Sequence, residues 1–241
     1  MKYTRMIQGR FLERPNRFIA LVEINGQVEK CHVKNTGRCR ELLIPGAIVW
    51  VEKSTNPDRK TAYDLIAVSK EYSEDGVAHS SSFALINMDS QAPNKVVREW
   101  LELNRSPFLD ITKIKPECKY GSSRIDFYVE AGKEQPQKIF IEVKGVTLEE
   151  NGIARFPDAP TQRGIKHMLE LEKAVQAGYE AWILFVIQMK GIRWFEPNDV
   201  THPEFGETLR QVQKAGVGVL AYDCKVTAEE IILDMPVEIK L

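Results

Sequence analysis

The chain has 241 residues, of which 43% are hydrophobic and 28% charged, with a formal net charge of -1. That composition excludes a disordered chain and a uniformly basic nucleic-acid binder, and is enough for one large domain or two modest ones. The longest apolar run, Ala181 to Ile187, is far short of the roughly 20 residues that cross a bilayer, and MKYTRMIQGRF has no apolar signal core, so a cytoplasmic protein without a membrane partner is expected. Cys31, Cys39, Cys118 and Cys224 form no C-x-x-C pair, which points to reduced, structural thiols and not to zinc or a redox motif.

Charge is unevenly spread. Residues 1 to 50 carry nine Lys/Arg against four Asp/Glu, a balance of +5 that leaves -6 for the remainder. A basic first domain joined to an acidic second one suits a polyanion brought to a carboxylate site. In the basic part, FIALVEI (Phe18 to Ile24) and QVEKCHV (Gln27 to Val33) flank Asn25-Gly26, the strongest short signal for a two-residue hairpin. Further strands are expected at Ala47 to Glu52, after the Pro45-Gly46 turn, and at Ala62 to Val68. Short strands without a helix suggest a small OB-like β-barrel, a frequent platform for single-stranded nucleic acid. Phe11 and Phe18 are read as core residues, although either could stack a base, and His32 as structural.

A helical pattern begins at PNKVVREWLEL, where Pro93 suits a first turn and Val96, Val97, Trp100, Leu101 and Leu103 share one stripe. The domain boundary is placed near residue 84, giving 1–84 and 85–241. At about 100° per residue Glu102 points away from the stripe and Glu99 lies at its flank, so Glu99 is the acid able to reach a site.

RIDFYVE (Arg124 to Glu130), a polar turn and KIFIEVKGV (Lys138 to Val146) read as two antiparallel strands. If the turn closes symmetrically, Glu130 pairs with Lys138 and Asp126 stands across from Glu142. Two carboxylates about 5 Å apart at an effective dielectric of about 20 repel by roughly 3 kcal/mol, so the pair calls for a proton or a cation. The alternative for Glu142 and Lys144 is an edge strand facing water, or a cross-strand ion pair. A long connection follows, then a helix from about Pro160 to Gln176 with Asp158 as its cap and Gly178 as its stop. Ile165, Met168, Leu169 and Val175 face the core, while Gln162, Arg163 and Lys166 group near the N-terminus, where backbone N–H groups and basic side chains favour a phosphate. A solvated polar face is the alternative.

Helix, antiparallel strands bearing D and E-x-K, helix, strand: this order resembles the PD-(D/E)xK nuclease superfamily. The literal Pro157-Asp158 pair follows E-x-K instead of preceding it, so Asp126 is the better ligand. The stretches KNTGRCRELLIPG, SSRIDF, IEVKGVTL, ARFPDAPTQRGIKHMLEL, AGYEAWILFVIQ and AGVGVLAYDC extend the resemblance, across nearly the whole chain, to the sugar fermentation stimulation protein A family. It implies an α+β two-domain fold, an N-terminal OB-like β-barrel with a C-terminal α/β restriction-endonuclease-like domain. It also implies binding of single- or double-stranded DNA with little sequence preference, and a part in regulating sugar catabolism. Carried over by position, Asp126, Glu142 and Lys144 are the catalytic set, with Mg²⁺ or Mn²⁺ held by Asp126, Glu142 and Glu99. Arg14, Arg17, Lys34, Arg38, Arg124, Gln162, Arg163 and Lys166 are the implied nucleic-acid contacts, and His167 is more easily read as packing than as a phosphate donor.

Overall fold

The computed structural model describes residues 1–35, 37–73 and 81–241, so Thr36 of the KNTGR stretch lies outside the described residues. In chain order the elements are β1 (Met6–Asn16), β2 (Ile19–Ile24), β3 (Gln27–Val33), β4 (Ile48–Lys53), β5 (Tyr63–Ser73), β6 (Ser81–Asn87) and α1 (Ala92–Glu102). There follow β7 (Ile111–Tyr120), β8 (Ser123–Ala131), β9 (Gln137–Val146), β10 (Leu148–Glu150), β11 (Ile153–Phe156) and α2 (Gln162–Gln176). The last are β12 (Glu180–Ile187), β13 (Trp194–Pro197), α3 (Pro203–Lys214), β14 (Gly218–Val226), β15 (Ile231–Pro236) and β16 (Glu238–Ile239).

Two compact units form: residues 1–92 with 188–191 and 224–232, and residues 93–187 with 192–223 and 233–241. Strand β6 runs through residue 84, where the sequence suggested a boundary. In the first unit the strand order is β3-β2-β1-β4-β5-β6, and a parallel pairing of β3 with β5 closes β1 to β5 into a barrel. Asn25 and Gly26 have φ of 51° and 77°, the two left-handed positions of the tight hairpin turn. Strand β1 gave no clear period, since MIQGRFLERPN is rich in charge and its pairing with β2 shifts register at two places. It nevertheless runs between β2 and β4, and Gly9 permits this: a Cβ there would lie 2.6 Å from Val22 Cγ1. Phe11, Val22, Val49, Leu65 and Ile86 fill the interior.

The second unit is built on the sheet β15-β14-β12-β9-β8-β7. Strands β9, β12 and β14 run parallel, and β8 and β7 continue antiparallel. Strand β9 is therefore central, which removes the edge-strand reading of Glu142 and Lys144. A small second sheet has the order β10-β11-β13-β16. Helix α1 buries Val96, Val97, Trp100 and Leu101, with Trp100 edge-on to Tyr222 at 5.1 Å, whereas Leu103 lies past the helix end and is exposed.

Helix α2 starts two residues later than expected and is capped by Thr161, whose hydroxyl accepts the Gly164 N–H at 3.1 Å. Asp158 stands too far upstream to reach those amides. At the other end Gly178 adopts φ of 86°, with Gly178 N–H on Val175 O and Tyr179 N–H on Ala174 O, the two bonds of a Schellman stop. The buried residues of α2 are Gly164, Ile165, His167, Met168, Glu170, Leu171 and Ala174, so Leu169 and Val175 fall at the margin.

Candidate functional site

Strands β8 and β9 pair Glu130 with Lys138 and continue to Phe127 with Ile141. The next step of that register sets Asp126 opposite Glu142, where the ladder stops. Asp126 Oδ2 accepts the Val143 N–H at 2.8 Å, and Oδ1 accepts Asn94 Nδ2 from the first turn of α1 at 2.8 Å. Glu142 is 2% exposed. Its Oε1 accepts Lys144 Nζ at 2.6 Å and faces His167 Nδ1 at 2.5 Å, while Oε2 is buried with no hydrogen-bond partner. Arg163 Nε donates to His167 Nε2 at 3.4 Å. Since the guanidinium only donates, Nε2 accepts and the ring proton sits on Nδ1, toward Glu142.

The two carboxyls are pushed apart electrostatically. Burial, and then the charge of Glu142, raise Asp126 against the opposing pull of Val143 N–H, Asn94 and Lys144. Burial works on Glu142 in the same sense, but the His167 hydrogen bond and Lys144 outweigh it, and Glu142 lies below its ordinary value. A buried carboxylate oxygen without a partner, beside a second carboxyl destabilised by it, is a donor set short of positive charge. Hard oxygen ligands of this kind fit Mg²⁺, Mn²⁺ or Ca²⁺.

Of the residues expected here, Asp126, Glu142 and Lys144 come together. Glu99 is exposed on α1, five residues and about 140° around the helix from Asn94, the residue that reaches Asp126. Among the described residues no three His, Cys, Asp or Glu side chains form a metal-ligand group. Asn94, which the sequence did not single out, and His167, read there as packing, both contact the carboxyls. A findable signal existed in their helical spacing: Asn94 keeps step with buried Val97 and Leu101, and His167 with buried Gly164, Leu171 and Ala174.

The basic residues divide. Arg14 spreads its guanidinium over four backbone carbonyls, those of Arg17, Asn35, Gly37 and Arg38, at 2.7 to 2.8 Å, and its buried Nε has no partner. Lys34 is 17% exposed and sits 3.3 Å from both Asp64 and Asp89. Arg14 is thus engaged by backbone acceptors and Lys34 by two carboxylates, contacts that tie each to the fold of the first unit. Arg17 and Arg38 are exposed, and Arg17 lies over the ring of Phe18, 4.6 Å from its centre. Phe11 is core as expected; Phe18, at 43% exposure, is not. His32 pairs with Asp64.

In the second unit Arg124 pairs with Glu117 at the surface and Lys166 donates to Ser122 O. Gln162 is drawn to Glu204, and with Thr161 already capping Gly164, the helix start offers phosphate less than the sequence implied. Among the described residues no helix is long and apolar enough to cross a membrane.

An OB barrel and a restriction-endonuclease-like α/β unit with paired carboxyls on its central strands define the class: a two-domain protein of nuclease-like architecture. Residues 12–77 match the SfsA N-terminal OB domain, and residues 91–230 match the sugar fermentation stimulation protein RE domain. The chain belongs to the sugar fermentation stimulation protein (SfsA) family. It is 57% identical to the sugar fermentation stimulation protein homolog of Desulfitobacterium hafniense (strain DSM 10664 / DCB-2), covering 96% of this chain and 94% of the relative. Identity to the homolog of Ruminiclostridium cellulolyticum is 54%, over the whole of both chains. The fold matches the structure of Pyrococcus furiosus SfsA in complex with Ca²⁺ with a TM-score of 0.85 and 29% identity, covering 100% and 98% of the two chains.

Proposed function

We propose that the second unit is a divalent-metal-dependent phosphodiesterase acting on DNA, and that the first unit binds nucleic acid through Arg17, Phe18 and Arg38. The observation that carries the reading is the pairing of Asp126 with Glu142, whose Oε2 is buried without a protein partner. Asp126, Glu142 Oε2 and the backbone carbonyl of Val143 would hold the ion, and the crystallised relative with Ca²⁺ supports a divalent cation here. Bound there, the ion would ease deprotonation of water and offset phosphate charge. Lys144, now 2.6 Å from Glu142 Oε1, is the cation placed to donate to a phosphate oxygen or to the attacking water.

Purified protein with Mg²⁺ or Mn²⁺ should cut single-stranded, duplex or branched DNA, and Asp126→Ala, Glu142→Ala and Lys144→Ala should each lower the rate by at least ~100-fold. Uncut DNA at enzyme excess with either metal sinks the catalytic reading.

A second reading, a non-enzymatic and largely sequence-independent DNA-binding regulator on a nuclease scaffold, is favoured by the engagement of Lys144 with Glu142 instead of with open space. On that reading the same carboxylate variants leave DNA affinity intact or raise it, and no cleavage accompanies binding.

A further inference from the structure

We propose that His167 is a positioning residue for metal binding: together with Lys144 it holds Oε1 of Glu142, leaving Oε2 as the single oxygen that this carboxylate gives to one divalent ion. This rests on the metal reading above.

A carboxylate oxygen accepts along two lone-pair directions. On Glu142 both directions of Oε1 are used, by Lys144 Nζ at 2.6 Å and by the Nδ1–H of His167 at 2.5 Å, and Oε2 receives nothing although it is buried. The asymmetry is fixed from behind. Arg163 donates to His167 Nε2 and so sets which ring nitrogen carries the proton, and the two residues are one helical turn apart on α2. The imidazole is itself buried, on the same side of α2 as Gly164, Met168 and Leu171. Outer partners of this kind orient a ligand and set its basicity.

One consequence follows for chelation: Glu142 cannot hold an ion through both oxygens while Lys144 and His167 occupy Oε1. Asp126 differs: each of its oxygens accepts one hydrogen bond, from Asn94 and from Val143, and keeps one acceptor direction for an ion. Among the described residues no group of three or more His, Cys, Asp or Glu side chains could hold a metal, and one ion per chain is the occupancy expected of two carboxylates of which one offers a single oxygen.

Calorimetric titration of the full chain with Ca²⁺ and with Mn²⁺ tests this, with thermal unfolding in EDTA as the control for folding. Wild type is expected to bind one ion. His167→Leu, which keeps the apolar volume and removes the donor, is expected to bind ~10- to 100-fold more weakly. His167→Asn, whose amide N–H stands where Nδ1–H stood, is expected to recover most of that loss, a rescue that a purely space-filling role would not produce. Should the leucine variant not fold, His167→Gln replaces it, with its amide moved one bond outward and affinity again below that of the asparagine variant. Equal affinity of wild type and His167→Leu, no rescue by asparagine, or two ions per wild-type chain overturns the proposal and leaves the metal reading standing. A wild-type chain that binds neither ion overturns both.

Discussion

Asp126 replaces a backbone group with a carboxylate: its Oδ2 accepts the Val143 N–H at 2.8 Å at the point where the β8–β9 ladder ends. The same side chain thus ends a strand pairing and forms half of the candidate site. Because a hydrogen bond and a charge are separable, Asp126→Asn can keep the first and lose the second. The amide oxygen still accepts from Val143, and Asn94 can turn its own amide to match. Without metal, the thermal midpoint of Asp126→Asn is expected to hold or rise, by about 2–4 °C per kcal/mol of relieved repulsion in a chain of this size. The stabilisation expected of Ca²⁺ on wild type, about 2.7 kcal/mol at 100-fold excess over Kd, should be absent from Asp126→Asn. A lower midpoint with the calcium effect intact would contradict this account.

Lys34 offers a second test, since its ammonium lies between two carboxylates and one of them, Asp89, is fully buried. Removing the cation leaves buried negative charge uncompensated, which typically costs about 3–5 kcal/mol. Urea unfolding of Lys34→Ala should therefore show a loss of that order. If Lys34 were instead a phosphate contact, stability would be unchanged and only the salt dependence of DNA binding would fall.

For Arg17 and Arg38 the expectation is the reverse. Both are exposed, so Arg17→Ala and Arg38→Ala should leave the unfolding midpoint nearly unchanged, yet each should lower the slope of log affinity against log salt by about 1. Arg14→Ala should instead destabilise the barrel, because four carbonyls lose their donor at once. Fluorescence anisotropy with a labelled oligonucleotide at several salt concentrations, beside urea curves, separates the two behaviours.

Acid sensitivity should trace in part to Asp64. Burial alone would raise its carboxyl, but the fork of Arg59, at 3.0 and 2.5 Å, and the charge of Lys34 outweigh burial and hold it below the ordinary value. With the folded value below the unfolded one, the unfolded chain binds more protons between the two, so stability rises with pH across that window. The contribution is complete above the unfolded value of about 3.9 and is lost as pH falls through the folded one. Asp64→Asn should be less stable than wild type at pH 7, and the gap should narrow below about pH 4. A gap in urea midpoints that stays constant from pH 7 to pH 3 would remove Asp64 from the explanation.

Much of this was legible in one dimension. Asn25-Gly26 set a hairpin, Gly178 stopped a helix, and the alternation of KIFIEVKGV with the length of the preceding turn gave the register that pairs Glu130 with Lys138 and runs to Phe127 with Ile141, one step short of Asp126 and Glu142. These are local signals, fixed by backbone sterics and by a side-chain period that neighbouring residues share. The strand β1 was not legible, because its charged sequence shows no clear period and its place between β2 and β4 depends on tertiary pairing, with Gly9 allowing a close approach to Val22 of β2.

The basic residues and the partners of the carboxylates divide the same way. Sequence alone determined which side chains are charged and which pairs of strands carry them; it could not tell Arg14 from Arg17, or Glu99 from Asn94. Those choices were decided by tertiary structure, because a side chain's role follows from the acceptors and carboxylates that folding brings within reach, and desolvation gives each of those contacts its weight. His167 shows it most plainly: one helical position among several in the sequence, it acquires a partner only when α2 packs over the central strand that carries Glu142.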